Sequence, residues 1–180
     1  MKSALISMRG IMPDANGYPL KTFTGSHSVV VCAGKTSAGD DAAGWAVYKK
    51  LQFSGEVLDA ETHFVGVAGL QMLECLKGQK LLVLVDAVRF GASPGTVHVL
   101  PWQQLPKETE LAISSCSLGL REAMELGLLL QPETMPEEAF LVGIEGTCFD
   151  EMGVGLTPAV GRAVEKALFE VRRLIGQSRN

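Results

Sequence analysis

Apolar and polar positions along the chain fall into blocks of two kinds. Residues 29–32 (Val-Val-Val-Cys), 81–85 (Leu-Leu-Val-Leu-Val) and 139–144 (Ala-Phe-Leu-Val-Gly-Ile) are short, continuous apolar runs rich in β-branched residues. Their length and composition predict buried strands. Between them the apolar positions recur at helical spacing. Ala42 to Tyr48 reads as a helix with Lys49 and Lys50 near its end, where cations suit the helix dipole. Val67, Leu70, Leu73 and Leu76 predict a second helix over residues 64–76, closed by Gly78. A third is expected over residues 118–130. Thr157 and Pro158 open a fourth, as N-cap and first helical residue, with Val160, Val164, Leu168, Val171 and Ile175 as its buried stripe. Residues 55–60 read as a second strand, and residues 96–100 as a short strand after the Pro94-Gly95 turn.

Strand and helix alternate, and the strands are apolar throughout. That predicts an α/β three-layer sandwich: a mostly parallel, twisted sheet with helices on both faces and one antiparallel edge strand. The 180 residues fit one domain, over 28–180, with residues 1–27 as an aperiodic N-terminal extension. Ala4-Leu5-Ile6 is too short for a signal-peptide core, and no apolar run reaches membrane-spanning length.

Composition narrows the function classes. The chain is 47% hydrophobic, enough for a substantial core, and its net charge of −4 carries no basic stripe, which argues against a nucleic-acid partner. Cys32, Cys75, Cys116 and Cys148 are widely spaced and form no C-x-x-C pair. Cys32 and Cys75 read as core thiols, and the pattern suits the reducing cytoplasm better than a disulfide scaffold. It also predicts no tightly bound structural metal.

The chemistry is expected just after the first strand. Gly34, a small polar turn and the adjacent carboxylates Asp40 and Asp41 lead straight into the first helix. Loops beyond the carboxyl ends of strands are where an open α/β sheet places its site. Three readings compete. One Asp caps the helix. The loop binds a nucleotide, against which stand the five-residue spacing of Gly34, Gly39 and Gly44 and the repulsion between two carboxylates and a phosphate. Or one Asp caps while the other projects into a cleft as a metal ligand. Asp86, the Ser115-Cys116 pair and Glu145 also follow apolar runs, so with Asp41 they are expected on one rim of the sheet. Like charges gathered there need a cation or a proton. No G-x-S-x-G surrounds Ser114, Ser115 or Cys116. His98, between Val97 and Val99, reads as an outward strand residue, and His63 as an exposed loop histidine near the second strand's end.

Taken together, several blocks carry a family resemblance: Gly34 with Asp40-Asp41-Ala42-Ala43-Gly44; Val85-Asp86-Ala87 with Gly91 and Pro94-Gly95-Thr96; Leu118-Gly119-Leu120; Gly143-Ile144-Glu145; and Gly155-Leu156-Thr157-Pro158. In order and spacing the chain resembles the maturation endopeptidases of nickel-iron hydrogenases from about Val29 to the last helix. The resemblance implies a five-stranded sheet. It also implies removal of a C-terminal peptide from a nickel-loaded hydrogenase large-subunit precursor, the protein substrate and partner. Nickel would arrive with the precursor. By position, Asp41 and Asp86 are the implied catalytic carboxylates, and Asp41, Asp86 and Cys116 the implied metal ligands. Two positions depart from the family pattern: Lys35 replaces an asparagine and Cys116 a histidine. A thiolate also binds nickel, and His63 is an alternative source of imidazole. A non-catalytic metal- or precursor-binding protein on the same fold is the rival reading.

Overall fold

Val29, Val30, Val31 and Cys32 form the heart of strand β1 (Ser28–Ala33), every residue of which is buried. The structure is a computed structural model that describes residues 26–53, 58–66, 69–105, 120–149 and 151–178. Helix α1 (Ala43–Phe53) follows β1, and then come β2 (Glu61–Val65), a short α2 (Gly69–Leu73) and β3 (Leu81–Val88). Strand β4 (Val97–Pro101), helix α3 (Leu120–Leu130), strand β5 (Glu138–Glu145) and helix α4 (Pro158–Gln177) complete the order.

The five strands lie in the order β2-β1-β3-β5-β4. The pairs β2–β1, β1–β3 and β3–β5 are parallel, and β4 runs antiparallel to β5 at one edge. Alternate side chains leave opposite faces of the sheet. Val30, Cys32, Val83, Val85, Val142 and Ile144 pack with α1 and α4 on one face. Val29, Val31, Leu82, Leu84 and Leu141 pack with Met72, Ala123 and Met124 on the other. Each such side chain taken out of water contributes about 1.5–3 kcal/mol. Helix α4 behaves as its spacing predicts: Val160, Val164, Leu168, Val171 and Ile175 are all buried, and the Thr157 hydroxyl accepts from the Val160 amide as N-cap. Among the described residues, no helix is long and apolar enough to cross a membrane.

Two elements differ from expectation. Of the second strand expected over residues 55–60, residues 55–57 lie outside the described residues, and the strand that pairs with β1 is Glu61–Val65, an edge strand whose residues are all half-buried. Phe64 fastens it, its ring 4.8 Å from that of Trp45 and 5.8 Å from that of Tyr48 on α1. The helix expected over residues 64–76 shrinks to Gly69–Leu73, because Phe64 and Val65 already belong to β2. Its buried face is also different: Leu70 is 56% exposed while Met72 is fully buried. The expected extension, residues 1–27, lies outside the described residues except for Ser26 and His27.

Candidate functional site

Strand order reverses between β1 and β3. From β1 the chain moves outward to β2, and from β3 the sheet continues the other way to β5 and β4. A crevice opens at such a switch point, beyond the carboxyl ends of the two strands. Asp86, near the end of β3, and the loop after β1 both reach that crevice.

Close approach explains the glycines of that loop. Gly34 has φ +124°, and a Cβ on it would lie 2.0 Å from the Asp41 carbonyl oxygen. The loop therefore folds back so that Asp41 presses on Gly34. A Cβ on Gly44 would lie 2.0 Å from the Ala33 carbonyl oxygen, so α1 begins hard against the end of β1. Between them, Gly39–Ala42 forms a 3-10 turn that buries both carboxylates, with Asp40 at 0% and Asp41 at 5% exposure.

The two neighbours do different work. Asp40 does not cap α1, contrary to the simplest expectation. One of its carboxylate oxygens accepts from the amides of Thr147 (2.9 Å) and Cys148 (3.1 Å), and the other from the amide of Thr157 (2.8 Å). Burial pushes its carboxyl up, but those amides outweigh burial and hold it below the ordinary carboxylate value. Asp40 thus ties the first loop to the approach of α4. Its role left no mark in the sequence, because its partners lie more than a hundred positions away.

Asp41 stands instead beside Lys35, whose Nζ is 4.0 Å from Oδ2, and beside Asp86. Asp86 is partly buried and accepts from the amide of Ala87 at 2.8 Å. Burial first, and the charge of Asp41 second, push its carboxyl up to about 7, against the opposing pull of the Ala87 amide. The pair therefore holds a proton near neutral pH in a place that a cation would also satisfy. The neighbouring Cys32 thiol is raised by burial and then by Asp86, which makes it an inert core thiol rather than a nucleophile.

The other expected site residues are spread more widely. Glu145 is buried, but both its oxygens are spent on structure: it accepts from the Phe90 amide (3.1 Å) and the Gly91 amide (2.9 Å) and meets His98 Nε2 at 3.0 Å. His98 is consequently not an outward residue. It is half-buried between Glu145 and the Phe90 ring. His63 lies within β2, not in a loop, and its Nε2 is 3.5 Å from Glu61. Ser115 and Cys116 fall in residues 106–119, outside the described residues. Among the described residues, no group of three or more His, Cys, Asp or Glu side chains could hold a metal. Asp41 and Asp86 offer two carboxylates, a donor type suited to hard and borderline cations, and leave further coordination positions to be supplied from elsewhere.

Comparison with known proteins gives one answer. A family model described as hydrogenase maturation protease matches residues 46–173, beginning just after the Asp40-Asp41 turn. The hydrogenase 2 maturation protease of Escherichia coli is 31% identical over 124 residues, which cover 68% of this chain and 71% of that protein. Among solved structures, the hydrogenase maturating endopeptidase HybD of E. coli is similar with a TM-score of 0.72 and 27% identity, over 84% of this chain and 93% of the other. The [NiFe] hydrogenase maturation protease HybD of Thermococcus kodakarensis shares the fold, with a TM-score of 0.68 and 21% identity over 82% and 98% of the two chains.

Proposed function

Because this chain belongs to the hydrogenase maturation protease family, we propose that it is the endopeptidase that removes the C-terminal peptide of a [NiFe] hydrogenase large-subunit precursor once nickel has been loaded, with Asp41 and Asp86 meeting the precursor's metal. The observation that carries this reading is the raised carboxyl of Asp86 beside Asp41 at the switch point. Two carboxylates crowded together favour an incoming cation, and the proton on Asp86 is the one such a cation displaces. Cys116 is the third donor. Nickel belongs to the substrate in this scheme, and it supplies Lewis acidity at the scissile peptide. The protein contributes a fixed pair of oxygens, held in place by the Gly34 contact and by Asp40's ties to Thr147, Cys148 and Thr157. Cys32, Cys75 and Cys148 are free thiols, which accords with a cytoplasmic location.

The test is cleavage of a nickel-loaded precursor by the purified protein, followed by mass spectrometry. Loss of one C-terminal peptide is expected. Asp86→Asn should be inactive, since a neutral amide is a poor nickel ligand. Cys116→Ala should lose cleavage, and Cys116→His should keep or raise it. Unchanged cleavage by both Cys116→Ala and Asp86→Asn would overturn the site, and binding of the loaded precursor without any cleavage would overturn the enzymatic assignment.

A further inference from the structure

Lys35 occupies a position at the site that the cleavage chemistry does not explain. It follows Gly34, whose missing side chain lets the Asp41 backbone close to 2.0 Å of where a Cβ would stand. That contact brings the start of the loop, and Lys35 with it, up to Asp41. The lysine ammonium lies 4.0 Å from Asp41 Oδ2, and it is the solvent-facing member of the pair: the Lys35 side chain is 42% exposed and that of Asp41 is 7% exposed. A positive charge therefore stands on the solvent side of one of the two carboxylates that would meet a metal.

We propose that Lys35 is a selectivity residue that repels free divalent ions from the Asp41–Asp86 pair, so that the site accepts metal only as part of a precursor. This rests on the metal-facing reading of Asp41 and Asp86 given above. The argument is electrostatic. A free dication gains attraction from the carboxylates, but it must push aside or tolerate an ammonium a few ångströms away. At surface-like dielectric the repulsion from one charge at that range weakens binding by about tenfold or more. A metal held in a precursor arrives with its own ligands, which reduce its effective charge, and with a protein surface whose contacts repay displacement of the lysine. Without Lys35 the two carboxylates would form an open trap for whatever divalent metal is in excess, and an occupied trap would block the substrate.

The experiment titrates tag-free protein with nickel(II) chloride by calorimetry, using wild type, Lys35→Gln, Lys35→Arg, Asp86→Asn and the Lys35→Gln/Asp86→Asn double variant. Lys35→Gln should bind nickel about tenfold tighter than wild type, Lys35→Arg like wild type, and the double variant should lose the gain. Free nickel should also inhibit precursor cleavage by Lys35→Gln at concentrations that leave wild type unaffected. Equal affinity in wild type and Lys35→Gln, with Asp86→Asn still weakening both, would overturn the role of Lys35 while leaving the metal site standing. Nickel binding indifferent to Asp86→Asn in every background would overturn the metal site itself, and the role of Lys35 with it.

Discussion

Asp40 lies in the Gly39–Ala42 turn and Asp86 in β3 beside Asp41, and the surroundings of these two aspartates drive them in opposite directions. Asp40 is buried against three backbone amides and sits below its ordinary value, so it stabilises the fold as an anion. That stability is present above the unfolded-state value of 3.8 and is lost as pH falls through the folded one. Asp86 is raised to about 7, so its contribution runs the other way. It is fully present below 3.8 and disappears as pH rises through about 7. We expect Asp86→Asn to gain stability over wild type as pH rises from 5 to 8, by about 2.5 kcal/mol, with little further gain beyond. Asp40→Ala, which strands three amides, should cost about 2–4 kcal/mol at neutral pH, and the difference should shrink in acid. Denaturant melts across pH with chelator present check both slopes. Parallel pH dependences for the two variants would mean that the environments assigned to these carboxylates are wrong.

At the scale of elements, α1 and α4 each carry glycine within a helix, and the two positions are opposites. Gly44 lies where α1 meets β1, with no room for a Cβ beside the Ala33 carbonyl. Gly161 is exposed and has nothing within 4 Å of the Cβ position. Gly44→Ala should therefore cost about 1–3 kcal/mol and displace the Asp41 turn, lowering cleavage as well. Gly161→Ala should instead add about 0.5–1 kcal/mol, through helix propensity alone. Thermal melts of the two variants, read beside precursor cleavage, check the contrast. The legibility of the elements in the sequence follows similar lines. β1, β3, β5 and α4 announced themselves because they are buried, so nearly all of their inward residues are apolar, Ser28 and Glu145 at strand ends being exceptions. β2 did not, because an edge strand is half wet: Glu61, Thr62 and His63 are tolerable there, and Phe64 is the aromatic anchor that packs it on α1. Reading Phe64 as helix then misplaced the stripe of α2. In the site, Asp41 and Asp86 were legible because each follows an apolar run. The ties of Asp40 and the pairing of Glu145 with His98 were not, because they join residues that only the folded sheet brings together.

For the molecule as a whole, the central strands pair in parallel, so each neighbour in the sheet is supplied by a distant stretch of chain. The Asp40 carboxylate is the extreme case, since its acceptor oxygens are answered by Thr147, Cys148 and Thr157. A chain emerging from the ribosome in order, amino end first, presents Asp40 long before these amides exist. The turn carrying Asp41 consequently lacks the supports that Asp40 recruits while the first four-fifths of the protein are being made, and the peptidase is expected to be inactive until then. Ribosome-stalled chains ending before Thr147 should leave a loaded precursor intact, whereas chains carrying a C-terminal linker long enough for Ser178 to clear the exit tunnel should cut it. Cleavage by the shorter chains would show that the site forms without its last-made supports. If it does not, the arrival of Thr147, Cys148 and Thr157 is itself the event that switches this enzyme on.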